Sequence, residues 1–173
     1  MRNVPAWFER TFDFTFPVEQ YPNLCSRLRG TPARLEEIVS GAPRDMLTHK
    51  PGRKWSAQEH AGHLLDLEQL WTARANDFRG DRETLTAADL TNRKTDEADH
   101  NSRDLQEIIA EFRAARRELM DCVGTQPSEA FARTIMHPRL KQPMRLVDHL
   151  FFVAEHDDHH LAIIRELLDA QSR

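Results

Sequence analysis

Cysteine is scarce in this chain of 173 residues, and Cys25 and Cys122 form neither a CxxC pair nor a disulfide framework. Reduced thiols in a cytoplasmic protein are therefore expected. No apolar run approaches the ~20 residues a membrane-spanning helix needs, and the first ten residues, with Arg2, Glu9 and Arg10 among them, lack the apolar centre of a signal peptide. No membrane association is expected. Positive charge is not in excess: the formal net charge is -4, so there is no overall electrostatic case for nucleic acid. Strand signals are nearly missing too, with no Asn-Gly hairpin turn and no alternating β-branched run. Also absent are His-Glu-x-x-His, Gly-x-Ser-x-Gly, a phosphate-binding loop and a dinucleotide fingerprint.

What is present is a globular composition, 30% charged and 39% hydrophobic, of a length that suits one domain over residues 1–173 with one sizeable core. Residues 1–16 carry Trp7, Phe8, Phe12, Phe14 and Phe16 without a clean period. They read as an aromatic N-terminal arm laid over the core or across a subunit interface, or as a lid over a pocket. Over 17–41 the residues Tyr21, Leu24, Leu28, Leu35, Ile38 and Val39 recur at helical spacing. Gly30-Thr31-Pro32 predicts a kink or a restart there, and Gly41 a C-terminal stop. Residues 43–47 read as one further turn.

The second long helix is announced by Ser56-Ala57-Gln58-Glu59, a capping box preceded by Trp55 in a hydrophobic-staple position. Its inward stripe runs His60, His63, Leu64, Leu67, Leu70, Trp71 and on to Phe78, with Gly62 placed to admit a neighbouring helix. A long polar connection follows over 79–101, with a short helical turn expected at 87–90 and a cap over one end of the bundle as its role. The third helix is expected to start near Asn101-Ser102 and to bury Leu105, Ile108, Ile109, Phe112, Ala115, Leu119, Met120 and Val123, ending at Gly124. Arg113, Arg116 and Arg117 read as its cationic solvent face. Residues 125–142 connect onward, anchored by Phe131, Ile135 and Met136, to a fourth helix over 144–170. The fold class is all-α: a four-helix bundle with a kinked first helix and a long connection between helices two and three.

The fourth helix holds the chemistry. His149, Phe152, Val153, His156, His160, Ile163, Ile164 and Leu167 fall on one face, so two imidazoles one turn apart, His156 and His160, lie on a core stripe. Two satisfied core histidines would give that pattern. So would two ligands of one metal ion, because burying two polar rings without partners is costly. A third ligand decides between them. Helix two offers His63 or His60 to the same interior, and spacing alone does not separate them. Three imidazoles from two helices can hold a divalent ion and leave coordination positions open.

The stretches Lys54–Glu68 and Val153–Ala162, with Thr31–Leu35 and the region 89–117, resemble the DinB/YfiT-like family over most of the chain. That family's pattern is a His before Leu on helix two and His-x-x-x-His on helix four, which here falls on His63, His156 and His160. The resemblance implies a four-helix bundle of unusual connectivity and a divalent metal on those three histidines. Nickel or zinc comes first for that ion, with iron or manganese as further options. It also implies a homodimer. His60 is placed in the pocket or behind a ligand, His159 toward solvent or a subunit, and His149 in the core. Glu155, Asp157, Asp158, Asp66 and Glu68 are candidates to orient the imidazoles through their second nitrogen.

Two functions follow. One is a metal-dependent enzyme acting on a small-molecule substrate, either as a hydrolase or as a transferase using a low-molecular-weight thiol such as bacillithiol or mycothiol. Neither chemistry needs a protein nucleophile, which suits Cys25 and Cys122 on core stripes. The other is a non-catalytic, metal- or ligand-binding, stress-associated dimeric bundle.

Overall fold

In the computed structural model, which describes residues 4–172, helices α1 (Tyr21–Val39), α3 (Ala57–Asp66) continued by α4 (Glu68–Asp77), α6 (Leu105–Gly124) and α8 (Leu146–Gln171) make the bundle. Short helices α2 (Arg44–Thr48), α5 (Arg93–Glu97) and α7 (Ser128–Ala132) lie in the connections. α8 packs on α1 and α3, and α6 packs on α1, α3 and α4. Strands β1 (Ile135–Met136) and β2 (Pro143–Met144) pair antiparallel just before α8, a small hairpin that the sequence reading did not foresee. None of the described helices is long and apolar enough to cross a membrane.

The expected N-terminal signals are present where local chemistry sets them. Ser56 accepts from the Glu59 N–H while the Glu59 carboxylate accepts from the Ser56 N–H, and Trp55 packs edge-on against His60 with ring centroids 5.3 Å apart, so the staple closes on an imidazole. Gly41, at φ 72°, follows α1 in the left-handed region that favours glycine. Helix α1 does not restart at Thr31; it runs through Pro32. Pro32 has no N–H to return to the Leu28 carbonyl, and that carbonyl instead accepts from Arg116 Nη1 at 2.9 Å.

Other expectations need correction. The second helix is interrupted at Leu67, although Leu67 N–H still donates to the His63 carbonyl and Trp71 N–H to that of Leu67. Residues 87–90 are not helical, and the turn of helix comes at α5 instead, entered through Asn92 with φ 57°. Helix α6 is capped by Asp104, whose carboxylate accepts from the N–H groups of Gln106 and Glu107. The side chain of Asn101 accepts from Ser56 Oγ. Met136 is exposed and anchors its loop by backbone, donating to Glu83 and accepting from Leu85. Of the predicted α6 stripe, Ala115 alone is only half-buried.

The largest correction concerns Arg116, which is 2% exposed rather than on a solvent face. Its guanidinium donates to Glu68 through Nε (3.1 Å) and Nη2 (2.6 Å), and to Asp157 through Nη1 (2.6 Å) and Nη2 (3.2 Å). Asp157 also accepts from Thr31 Oγ1 at 2.8 Å. The two carboxylates outweigh the cost of burial and hold the guanidinium firmly cationic. This polar group separates two apolar clusters. Leu28, Trp71, Leu119 and Val153 belong to one, and Leu35, Leu64, Phe112 and Leu161 to the other. Each long helix thus passes from one core to the other through a single polar level.

Gly62 admits an imidazole rather than a helix. A Cβ there would lie 2.3 Å from the His100 ring, which sits in a 3-10 turn, His100–Ser102, of the long connection. His100 is buried and its Nε2 lies 2.9 Å from Asp66 Oδ2, so the ring has little freedom to retreat. In an open helix Gly→Ala gains about 1 kcal/mol; here Gly62→Ala is expected to lose about 1–3 kcal/mol through overpacking. Urea unfolding reads the sign directly, and a stabilised variant would show that the ring can move away.

Candidate metal centre

Helix α3 delivers His60 and His63, and α8 delivers His156, His159 and His160, because these two helices pack face to face. One nitrogen from each of His63, His156 and His160 comes within 4.8 Å of the others. All three rings are buried, and the Nε2 atoms of His156 and His160 are 3.2 Å apart.

The partners of the second ring nitrogens select which lone pairs face inward. Thr95 Oγ1, on α5, donates to Asp66 Oδ2 at 2.9 Å. Its proton is then committed, so the hydroxyl accepts from His63 Nδ1–H at 2.9 Å and leaves His63 Nε2 as a lone pair. His160 Nδ1 lies 2.8 Å from His60 Nδ1; when His160 donates there, its Nε2 also points inward unprotonated. His156 Nδ1 has no partner among the described residues, which leaves its Nε2 as the nitrogen turned toward the other two. Burial pushes His63 down to about 4, despite the opposing pull of Asp66. Burial, then neighbouring imidazoles, pushes His156 and His160 well below the usual range. Three neutral imidazoles whose inward nitrogens converge fit a divalent cation, which would take the place of the single proton lying between His156 Nε2 and His160 Nε2.

The cluster forms one wall of a cavity of about 310 Å3. Trp7, Trp55 and Trp71 line it together with Phe8, Phe152, Leu67 and Leu70. The aromatic arm thus both packs on the core and walls the pocket: the Trp7 ring lies 5.1 Å from that of Phe152 and 5.1 Å from that of His156. The long connection contributes to the lining through Ala87–Leu90 and Asn92. It covers the site rather than merely capping the bundle. At the rim, Phe8 and Leu90 are more than half exposed.

The remaining candidates sort themselves by contact. His60 stands behind His160, and Trp55 packs against His63 with the rings tilted by 45° and their centroids 4.7 Å apart. His159 does not face solvent. It is buried beside Trp7 at 5.5 Å and lines the cavity. His149 is a core residue with Nε2 3.2 Å from the Trp71 carbonyl. None of the five acidic candidates touches a ligand imidazole directly. Asp66 acts on His63 through Thr95, Glu68 and Asp157 hold Arg116, and Glu155 and Asp158 pair with Arg10, Arg27 and Arg34. Sequence reading missed Thr95, Arg74, His137 and Arg139, all contributed by loops or by a helix position outside the predicted stripe. Cys25 and Cys122 are free thiols away from the cavity lining.

Three comparisons bear on this arrangement. The model of the DinB superfamily matches residues 27–164. The fold is similar to that of YfiT from Bacillus subtilis, described as a probable metal-dependent hydrolase with an unusual four-helix bundle topology, at a TM-score of 0.80 and 20% identity over 95% of this chain and 94% of that one. No curated protein matches the chain.

Proposed function

The chain belongs to the DinB superfamily, and from that premise we propose that it is a divalent-metal-dependent enzyme whose ligands are His63, His156 and His160. The observation that carries this reading is the convergence of three buried, neutral imidazoles on the wall of a substrate-sized cavity. Bound there, a nickel or zinc ion would acidify a water or a small thiol at neutral pH and leave positions open for substrate. The protein's own part is to hold the imidazoles in one tautomer, through Thr95 and His60, and to exclude bulk water with Trp7, Trp55 and Trp71. Hydrolysis and transfer from a low-molecular-weight thiol both fit a site without a protein nucleophile. The similar fold of YfiT, described as a probable metal-dependent hydrolase, favours the first. We place the protein in the cytoplasm, as a homodimer.

The test is a metal assay on purified protein by mass spectrometry. Ester and amide panels follow, and then thiol with an electrophile. Metal-dependent turnover in one panel is the expected result. A stoichiometric metal with no turnover and no thiol affinity would leave a binding module and sink the enzyme.

Thr95 gives a finer check. Thr95→Val removes the hydroxyl that fixes the His63 tautomer, and metal affinity is expected to fall about 10–100-fold, while Thr95→Ser keeps it. A competition titration against a metal-binding dye measures both. Equal affinity in the valine variant would show that Thr95 does not orient the ligand.

A further inference from the structure

Beside the histidine cluster the same cavity holds a second polar group, made of Arg74, His137 and Arg139. His137 Nδ1 accepts from the backbone N–H groups of Arg139 (3.2 Å) and Leu140 (3.1 Å). Backbone amides can only donate, so Nδ1 is the unprotonated nitrogen, and a neutral ring carries its proton on Nε2. That Nε2 lies 3.1 Å from Arg74 Nη1, and a guanidinium nitrogen is also a donor. Two N–H groups therefore face each other across a hydrogen-bond distance with no acceptor between them. Protonating His137 would not relieve this, and burial followed by the two arginines pushes it down to about 3.

The charge is only partly compensated: Asp77, on the same helix, attracts Arg74 from beyond hydrogen-bond reach, but its carboxylate is engaged by Arg82 and by the Thr86 N–H. Neither Arg74 nor Arg139 has a carboxylate within ion-pair distance among the described residues. Arg74 is 2% exposed, and its Nε donates to the Thr86 carbonyl at 2.8 Å. Arg139 lies over Phe8 and Phe152, with Nη2 buried and without a partner. The one acidic residue among those lining the cavity, Asp89, accepts from Thr91 N–H and Oγ1 and from Arg93 N–H. A largely buried set of donors with excess positive charge, in which Arg139 Nη2 and the facing Arg74 Nη1 and His137 Nε2 have no acceptor, is a site for an anion.

Resting on the reading of this cavity as the substrate site, we propose that the substrate carries a carboxylate, received by Arg139, Arg74 and His137 Nε2–H. Its apolar body lies against Leu67, Leu70 and Phe8. An oxygen lodged between Arg74 Nη1 and His137 Nε2 accepts from both, which resolves the facing donors, and Arg139 supplies the second charge-assisted contact. One aromatic ring separates this group from the histidine cluster: Trp71 lies under the Arg74 guanidinium at 5.5 Å and beside His156 at 5.4 Å. Arg139 is thus a specificity-determining residue that positions the substrate by its anionic end while the opposite end reaches the imidazoles.

All three tryptophans of the chain line this cavity, so tryptophan fluorescence reports on its occupancy. The probes are 3-phenylpropionate and its uncharged amide, titrated into the protein as purified and after chelation. The carboxylate is expected to bind about tenfold or more tightly than the amide, and Arg139→Gln to remove most of that preference. Chelation is expected to leave the preference in place. Equal affinity, no binding by either compound, or a preference that survives Arg139→Gln overturns the proposal. So does a preference that vanishes on chelation, because the anion then sits on the metal. Should Arg139→Gln lose its helical circular dichroism, the carboxylate-to-amide ratio of the wild-type protein decides alone. A protein that contains no metal yet shows the arginine-dependent preference would refute the metal reading and leave this one standing.

Discussion

Replacing His156 by alanine is expected to reduce bound metal from about one ion per chain to background, with helical content retained. His156 lies in the middle of α8, flanked by buried Phe152, Val153 and His160, so the helix is held by packing on either side of the lost ring. Its Nδ1 makes no hydrogen bond that the substitution could break. Mass spectrometry after dialysis reads the occupancy, and thermal unfolding supplies a second readout. An ion present at about a hundred times its dissociation constant adds roughly 2.7 kcal/mol, so chelation is expected to lower the wild-type Tm by roughly 5–10 °C. His156→Ala is expected to ignore the chelator. Full occupancy in the variant would move the site elsewhere.

Arg116→Met carries the largest expected loss of stability, about 3–5 kcal/mol, because Glu68 and Asp157 are left buried without a counter-charge and the Leu28 carbonyl loses its donor. Urea unfolding of the variant measures it. The triple variant Arg116→Met, Glu68→Leu, Asp157→Leu is expected to regain much of the deficit, since a desolvated ion group can be exchanged for apolar side chains at little net cost. A mild effect in the single variant would mean that the carboxylates take up protons or water without penalty.

The bundle was legible in the chain because its long helices bury continuous stripes and because caps are local. Ser56 and Glu59 need only each other to mark the start of α3, and the spacing of His156 and His160 places them on one face whatever surrounds them. Arg116 was legible as well. It lies between Phe112 and Leu119 on the buried face of α6, and reading it as a surface residue let side-chain type override position. The interruption at Leu67 has no Gly or Pro to signal it. The relay from Asp66 through Thr95 to His63 joins α3 to a turn about thirty residues away, and no periodicity encodes such a contact. His137 and Arg139 are delivered by a loop whose path depends on the small hairpin. Ala87–Leu90 looked helical by composition, but the segment is drawn out across the cavity, and Asn92 and Asp99, both at positive φ, bend the chain on either side of α5.

The polar level between the two apolar clusters has a consequence for alignment. Leucine against leucine tolerates sliding, whereas Arg116 meets Glu68, Asp157 and the Leu28 carbonyl at one axial offset of four helices. Slipping any helix by one turn, about 5.4 Å, would carry its group beyond hydrogen-bond reach of the guanidinium. His156 is the residue next to Asp157. The depth at which α8 presents its imidazoles to His63 is therefore set by the same gauge that sets the register of the bundle, and the ion-pair level acts as the ruler against which the centre is built.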